Sequence, residues 1–459
     1  MKNRLEIVFL PIICFNQIPI YPVVPDTVCA TITVGVTPAG IAITPDSAFA
    51  YVANNNNYGL TGLDSVSVVN LKNNMLKTTI FDASFNEPYT VTINQAGTKA
   101  YVTNSNTGTI TIINIPQNTV AGTINGFDGP SGMAIVPGTQ KAYVNNYGAP
   151  GGAGSGNATG VRVVNLLTDT IVGSTIEVNQ APASLAASPD GAYIYVINYT
   201  TGETNSGTLQ VIRTSDNTVI QTIGCFSGPF ALVVTPDGKY AYVSNFGSNN
   251  FWPIGTTVSV VDLKTYTIVK TIDLGIQVSG LAITPDGRFV YASNYNTLYA
   301  GEDYSNLTAG QGTVQVIDTA TNTVVSVTIP VGQSPDAIAI AKTGEYAYVT
   351  NYTSNTVSVI ALQSFWIVAQ GYQIQNYYLT QKDLINKITW SVSGTSLPIE
   401  YSIYRDAELT DLAGTVLATE PSVFLDHGRK KHHIYTYYIV GTNKVGTGSN
   451  PVLVTIGKE

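Results

Sequence analysis

The 459-residue sequence is poor in charge, in histidine and in cysteine. Charged side chains make up 11% of it, well under the fraction of about a quarter that is usual in soluble domains. The three histidines are His427, His432 and His433, so residues 1–426 contain no imidazole for acid–base catalysis or metal binding. The surface is instead rich in Thr, Asn, Ser, Gly and Tyr, and such neutral polar surfaces are common outside the cytoplasm.

The positions of the cysteines exclude a C-x-x-C redox pair and covalent haem attachment. Cys14, Cys29 and Cys225 are widely separated and form no C-x-x-C pair, and no C-x-x-C-H haem attachment site is present. Because their number is odd, they cannot all pair within one chain. We therefore expect free thiols that are either buried or incidental.

Long apolar runs are also missing. None reaches the roughly 18 residues needed to cross a membrane. Lys2 and Arg4 precede a short apolar stretch at residues 7–14, but Glu6 and Pro11 interrupt it and no clear cleavage site follows. Residues 1–25 are therefore a possible signal peptide. We expect an extracytoplasmic protein (secreted, periplasmic or on the cell surface), with the cytoplasm as the alternative.

Acidic residues exceed basic ones in the central part of the chain. Residues 26–362 hold 11 Lys and Arg against 20 Asp and Glu, a net charge of −9, whereas residues 363–459 hold eight of each. A field of this sign repels a phosphate backbone. We therefore expect no nucleic-acid partner.

A four-residue phrase recurs along this acidic part. Its seven copies begin at Tyr51, Tyr101, Tyr143, Tyr195, Tyr242, Tyr291 and Tyr348, at intervals of 42 to 57 residues. Each copy lies in a longer pattern of four short strands, of which the first two are joined by a turn such as Pro-Asp-Gly. Four antiparallel strands make one propeller blade. We therefore predict an all-β fold with a seven-bladed β-propeller, in which the repeated phrase is architectural.

The seventh copy ends at Leu362 without a fourth strand. A matching segment stands before the first copy, because residues 26–35 resemble residues 322–332 at the end of the sixth copy. We expect this segment to supply the missing outer strand and to close the ring without an open edge. The propeller is therefore predicted over residues 26–362.

The phrase resembles that of the YVTN-repeat β-propellers, a surface-layer-type family. Tyr-Val-Thr-Asn itself occurs at residues 101–104 and 348–351. The resemblance covers residues 26–362 and implies the seven-bladed fold. It implies little about function, since propellers host many unrelated activities.

Residues 363–459 are predicted to form a second, smaller β-domain. Trp390, the alternation at residues 400–404 and a Tyr-x-Tyr pattern from Tyr435 indicate short strands of a sandwich. The spacing resembles a fibronectin type III module, with Trp390 as its core tryptophan and Tyr435 as its corner tyrosine. Gly441 departs from that pattern, where alanine is usual.

The rim of the central channel is the place where a propeller enzyme would carry its catalytic groups. The rim residues follow the start of each first strand, and they are Ala39, Tyr89, Ser131, Ala183, Phe230, Ser279 and Asp336. Lactonases of this architecture need a carboxylate, base or metal set there. Asp336 alone is not such a set, so we predict no catalytic residue, no metal site and no cofactor. A hydrolase or lactonase-like enzyme remains the alternative.

The loops between second and third strands vary most, and they emerge on the same face as the rim. They are long at residues 55–64, 146–160, 199–207, 246–256 and 295–312. Aromatic residues among Gly, Asn and Ser make this long-loop face similar to known recognition surfaces. The candidate binding residues are Tyr58, Tyr89, Tyr147, Tyr199, Phe230, Phe246, Phe251, Trp252, Tyr295, Tyr304 and Tyr352. The alternative is that these side chains only pack their own loops.

These patterns together predict a non-catalytic binding or scaffold protein that recognises a protein or carbohydrate ligand through the long-loop face. The basic segment at residues 427–433 is expected to be a solvated loop, because its Arg and Lys side chains would repel a metal ion. Contact with a polyanion and weak metal binding are the alternatives for that segment.

Overall fold

The computed structural model of the protein describes residues 27–56, 63–148, 159–199, 207–247, 254–295, 297–298, 308–362, 365–377, 382–394, 400–407, 409–430, 433–442 and 452–456. All regular elements in these ranges are β-strands. None of the described residues belongs to a helix that could span a membrane. The N-terminal segment of residues 1–25 lies outside the described residues, as do Tyr58, Phe251, Trp252 and Tyr304.

The repeat region forms the strands β1 to β30. In chain order they are β1 (Thr27–Thr33), β2 (Pro38–Ile43), β3 (Phe49–Asn54), β4 (Ser65–Asn70), β5 (Met75–Phe81), β6 (Pro88–Ile93), β7 (Lys99–Asn104), β8 (Thr109–Asn114), β9 (Thr119–Asn125), β10 (Pro130–Ile135), β11 (Lys141–Asn146), β12 (Thr159–Asn165), β13 (Thr170–Gln180), β14 (Pro182–Ala187), β15 (Tyr193–Asn198), β16 (Gly207–Arg213), β17 (Thr218–Phe226), β18 (Pro229–Val234), β19 (Tyr240–Gly247), β20 (Ile254–Asp262), β21 (Thr267–Asp273), β22 (Val278–Ile283), β23 (Phe289–Asn294), β24 (Thr297–Leu298), β25 (Thr308–Ala309), β26 (Thr313–Asp318), β27 (Thr323–Pro330), β28 (Pro335–Ile340), β29 (Tyr346–Asn351) and β30 (Thr356–Ala361).

Seven four-stranded antiparallel sheets form the blades. In six of these sheets the four strands follow the chain order of one repeat. The blade formed by β22, β23, β26 and β27 also carries the short hairpin β24–β25 between its second and third strands. The seventh consists of β28, β29, β30 and, as its fourth strand, β1. The first strands of neighbouring blades pack against each other around the whole ring, including β28 against β2. The prediction of a seven-bladed β-propeller is therefore confirmed.

The tyrosine of the repeated phrase connects neighbouring blades. Its ring is buried in all seven copies, and in at least five of them its hydroxyl donates to a side chain in the turn between the third and fourth strands of the following blade. The clearest pairs are Tyr51 to Asn118 (2.5 Å), Tyr101 to Asp169 (2.9 Å), Tyr242 to Asn322 (2.6 Å) and Tyr348 to Asn74 (3.3 Å). These acceptors have φ near +50°, a conformation that Asn and Asp adopt more readily than most residues.

The third and fourth residues of the phrase also bond within the scaffold. Hydroxyls at the third position donate to carbonyls of the next blade's first strand, as in Ser293 to Asp336 (2.9 Å) and Thr350 to Ala39 (2.7 Å). The amide at the fourth position, as in Asn351, donates to hydroxyls of its own third strand. The repeated phrase is therefore used by the architecture of the ring.

The C-terminal residues form seven further strands. They are β31 (Phe365–Tyr377), β32 (Lys382–Gly394), β33 (Glu400–Tyr404), β34 (Leu412–Leu417), β35 (Val423–Asp426), β36 (Tyr435–Thr442) and β37 (Val452–Ile456). One sheet has the order β31-β32-β35 and the other β34-β33-β36-β37, an arrangement that resembles a sandwich. Trp390 packs edge-on against Tyr401 with ring centroids 5.1 Å apart, next to the buried Tyr437.

The described cysteines are free thiols. Cys29 and Cys225 are exposed rather than buried, and Cys14 lies outside the described residues. Among the described residues no group of three or more His, Cys, Asp or Glu has the geometry to hold a metal ion. In the basic segment, the ring of His433 stacks on Tyr435 at 6.2 Å, while His432 is not described.

Candidate binding site at the channel mouth

One backbone hydrogen bond per blade places a side chain at the mouth of the channel. The residue that follows the phrase donates its N–H to the carbonyl just before the first strand of the same blade, as in Tyr147 to Gly129 (3.0 Å) and Tyr352 to Ser334 (2.9 Å). The bond recurs in all seven blades. The residues so placed are Asn55, Ser105, Tyr147, Tyr199, Phe246, Tyr295 and Tyr352. Five of these equivalent positions are aromatic, so aromatic rings surround most of the mouth.

The rim lies just inside this set. It carries two more aromatic residues, Tyr89 on β6 and Phe230 on β18, and one acid, Asp336 on β28. A cavity of about 200 Å³ opens at this level, lined by these three residues and by small ones that include Ala39 and Ala183. Small side chains at the other rim positions keep the channel open there.

Glycines hold the backbones of Tyr89 and Asp336 against neighbouring blades. A Cβ on Gly40 would lie 2.4 Å from the carbonyl oxygen of Tyr89, and one on Gly280 would lie 2.3 Å from that of Asp336. Only a residue without a side chain permits such an approach. The packing between blades therefore fixes the backbone positions of both residues.

The aromatic residues fall into supporting and accessible groups. Tyr199 is only 2% exposed and its hydroxyl donates to the carbonyl of Gly247 at 2.7 Å, which leaves little of it for a ligand. Phe246 is 8% exposed, stacks on Phe230 at 5.1 Å and meets Tyr295 edge-on at 5.9 Å. The partly exposed rings are Tyr89, Tyr147, Phe230, Tyr295 and Tyr352.

The inner wall of the channel is almost free of ionisable groups. The first strands β2, β6, β10, β14, β18, β22 and β28 contain two of them, Tyr89 and Asp336. Blade one, which presents the small Ala39, separates the strands that carry the two groups. Within the described residues, no hydrogen-bond donor and no cation contacts the carboxylate of Asp336.

The surrounding blades shift the pKa of both groups. Removal from water raises the pKa of Asp336 from 3.8 to about 7. Burial also raises the pKa of Tyr89 well above 10, and negative charge on Asp336 adds to that shift, followed by Tyr147, Tyr295 and Tyr352. Both side chains keep some surface open to the channel, but the protein around them displaces most of the water. The inner strands therefore combine one neutral phenol with one acid that is poised near neutral pH.

The sequence places Asp336 at the rim, but a single carboxylate there does not predict a catalytic set, and Asp336 is not among the candidate binding residues. Burial of its carboxylate depends on ring closure, which brings β28 beside β2 from the other end of the repeat region. The signal available in the sequence is that Asp336 is the single carboxylate at the seven rim positions. Four of the eleven candidate aromatics, Tyr58, Phe251, Trp252 and Tyr304, lie outside the described residues.

The fold and this mouth define the chain as a seven-bladed β-propeller protein followed by a small β-region. In agreement, the model of a family described as lactonase, 7-bladed beta-propeller, matches residues 226–364. A solved chain of Kuenenia stuttgartiensis hydrazine synthase aligns with a TM-score of 0.59 at 20% identity, covering 72% of this chain and 96% of that one. At that identity the likeness shows the fold alone.

A curated relative matches over a short segment. PE-PGRS family protein PE_PGRS18 of Mycobacterium tuberculosis (strain ATCC 25618 / H37Rv) is 47% identical over 60 residues. The match covers 13% of this chain and 13% of that protein. A segment of this length is about one propeller repeat.

Proposed function

We propose that the chain is a non-catalytic binding protein whose propeller takes a protein or glycan ligand on the long-loop face, at the channel mouth. The observation that carries this proposal is a set of partly exposed aromatic rings at the mouth. Tyr89 and Phe230 line the open cavity, and Tyr147, Tyr295 and Tyr352 occupy equivalent positions after the repeated phrase. Rigid rings with a polar edge supply contact area at low entropic cost. The backbone bonds at the mouth fix the positions from which these rings project.

The ionisable groups of the channel favour binding over catalysis. Tyr89 stays protonated at physiological pH because its pKa lies well above 10. Asp336 is then the one group of the inner strands that can exchange a proton near neutrality. Hydrolytic sites generally pair an acid with a second base, nucleophile or metal.

The test is a ligand screen followed by substitution at the mouth. The full-length protein is screened against a glycan array and a panel of secreted proteins, and binders are compared with Tyr147→Leu and Tyr352→Leu. We expect each substitution to weaken binding by roughly 1 to 3 kcal/mol, the range for aromatic anchors. Tyr240→Leu, at the start of β19 on the opposite face, is the matched control. Binding lost with Tyr240→Leu and kept with both mouth variants would contradict the proposal.

We also propose the finer relationships that the sequence suggests: a YVTN-repeat propeller, a fibronectin type III-like module that acts as a spacer or second contact surface, and an extracytoplasmic location. The module is supported by the strand orders of its two sheets and by Tyr435, whose hydroxyl accepts a hydrogen bond from the Lys430 N–H at 2.8 Å. Protease shaving of intact cells would test the location, because an extracytoplasmic protein is digested without lysis.

A second candidate is a lactonase-like hydrolase with its site at the same rim. The lactonase-type family match and the raised pKa of Asp336 favour it. Its test is turnover of a panel of lactones by the wild type and by Asp336→Asn. Turnover abolished by Asp336→Asn would establish the enzyme, whereas we expect no turnover by either protein.

A further inference from the structure

We propose that the channel mouth binds a primary alkylammonium group, such as a lysine side chain of a partner protein, with the Asp336 carboxylate as counter-ion and the neighbouring tyrosine rings as cation–π partners. This inference rests on the proposed binding function and names the chemistry that the mouth recognises. It narrows the ligand to a protein that presents an exposed amine.

The carboxylate of Asp336 lacks a counter-charge among the described residues. Asp336 lines the cavity, and no cation contacts its carboxylate within the described residues. The inner strands contain no Lys, Arg or His at all. An unpaired carboxylate in such surroundings is costly, and a cation from outside relieves that cost. The site therefore favours a positive ligand over a neutral or negative one.

Aromatic rings lie close to this carboxylate. Tyr89 lines the same cavity as Asp336, and it lies close enough to Asp336, Tyr147, Tyr295 and Tyr352 for their charges to interact. Ammonium groups are attracted to the faces of aromatic rings, and the attraction grows when water is excluded. A carboxylate flanked by tyrosines thus offers two kinds of contact to the same cation.

The cavity at the mouth is small. A volume of about 200 Å³ is below the roughly 300 Å³ at which ordinary ligand pockets begin. It suits an ammonium head with a short alkyl stem better than a sugar ring with its hydration. The net charge of −9 over residues 26–362 would also attract a cationic partner at long range.

The inference predicts how binding depends on pH. Tyr89 lies within reach of the charge of Asp336 and of Tyr147, Tyr295 and Tyr352. Phenols are ordinarily neutral below pH 9. Of the ionisable groups on the inner strands, Asp336 is the one that changes charge between pH 5 and 8. Burial also raises the pKa of Glu87, just before β6, and of Asp64, and the Asp336→Asn variant separates their contribution from that of Asp336. An alkylammonium ion binds the ionised form, so its affinity should rise with pH by up to about 100-fold over that range.

The experiment uses the full-length protein and n-butylammonium chloride, with 1-butanol as the neutral match and sodium chloride as the ionic-strength match. Calorimetric titrations at pH 5, 6.5 and 8 should show saturable binding of butylammonium that tightens with pH, and none of 1-butanol. Asp336→Asn should weaken the binding at pH 8 at least tenfold and remove its pH dependence. Asp128→Asn, an exposed acid on the same face, is the matched control and should bind like the wild type.

A second measurement needs no variant. Titrations of the wild type at pH 6 in buffers of different ionisation enthalpy should show release of nearly one proton per butylammonium bound. Absence of saturable binding, binding without proton release, or equal binding by Asp336→Asn would each overturn the inference. If butylammonium fails but a screened ligand still depends on Tyr147 and Tyr352, the inference falls while the proposed binding function stands.

Discussion

Two aspartates on opposite faces of the propeller, Asp237 and Asp336, have opposite environments. In the tight turns between first and second strands, Asp237 accepts hydrogen bonds from the Thr235 hydroxyl (2.6 Å) and the Lys239 N–H (3.1 Å). Those bonds, with the charge of Lys239, lower its pKa to about 2. On the long-loop face, Asp336 has no such donor among the described residues, and desolvation raises its pKa to about 7.

The difference separates carboxylates that stabilise turns of the propeller from a carboxylate that is, on the proposed function, available to a ligand. The turn pattern recurs in other blades, where Asp46 and Asp190 bond to Thr44 and Ser188 and also have a lowered pKa. These carboxylates accept hydrogen bonds within the turns and so stabilise them. The carboxylate at the mouth satisfies no turn and costs stability, which is typical of functional positions.

The largest expected effect on stability is a gain from Asp336→Asn. The native protein holds the Asp336 proton more tightly than the unfolded chain, so wild-type stability should fall as pH rises from about 4 to 7, by up to about 1.4 kcal/mol per pH unit. Asparagine does not ionise, so the stability of the Asp336→Asn variant should not fall over this pH range. Because the carboxyl keeps some contact with water, we expect a gain of about 2 to 4 kcal/mol at pH 8 and almost none at pH 4.

Urea unfolding at pH 4, 6 and 8 measures this gap. A difference between the two proteins that stays constant with pH would show that Asp336 is not desolvated in the native state.

The next largest expected change in stability comes from the removal of one hydrogen bond between blades. Tyr242→Phe removes the hydroxyl that donates to Asn322 and leaves the ring buried. We expect a loss of about 1 kcal/mol, the usual net value of such a bond, with a somewhat higher cost if the Asn322 oxygen stays unpaired. Thermal unfolding at pH 7 measures it. No change in melting temperature would mean that the tyrosine acts through packing alone.

A smaller effect is expected from Asp237→Asn on the opposite face. Because folding lowers the pKa of Asp237, its contribution is present above about pH 4 and lost as pH falls toward 2. The side chain is 50% exposed, so solvent limits the contribution to about 1 kcal/mol or less. The difference between the unfolding curves of wild type and variant should be largest at pH 7 and should shrink by about half or more at pH 2.5.

The smallest effect on stability is expected at the mouth tyrosines. Tyr352→Leu truncates a partly exposed ring, and surface changes of this kind usually cost under about 0.5 kcal/mol. The variant should have nearly the same melting temperature as the wild type but should bind the ligand more weakly. A loss of several kcal/mol would show that Tyr352 belongs to the core and not to a binding surface.

The repeat architecture was predictable because it depends on local patterns. Seven copies of one phrase, each followed by alternating strands, indicate seven blades whatever lies between them, and the likeness of residues 26–35 to residues 322–332 indicates the strand β1. Trp390 and Tyr435 likewise indicate a second β-region through their spacing.

The candidate site was less predictable, because it depends on contacts between distant repeats. Tyr89 and Asp336 stand 247 positions apart in the numbering and line one cavity only after the ring closes. The inward placement of Tyr199, with its hydroxyl on Gly247, also depends on a neighbouring blade. Sequence composition indicates that the face is aromatic but not which rings remain accessible.

A carboxyl ¹³C NMR titration of the full-length protein tests the central comparison most directly, with Asp336→Asn and Asp237→Asn used to assign the two signals. The account predicts a midpoint near pH 7 for Asp336 and near pH 2 for Asp237. A midpoint at or below pH 4 for Asp336 would contradict it, because the mouth would then hold an ordinary, hydrated or hydrogen-bonded aspartate.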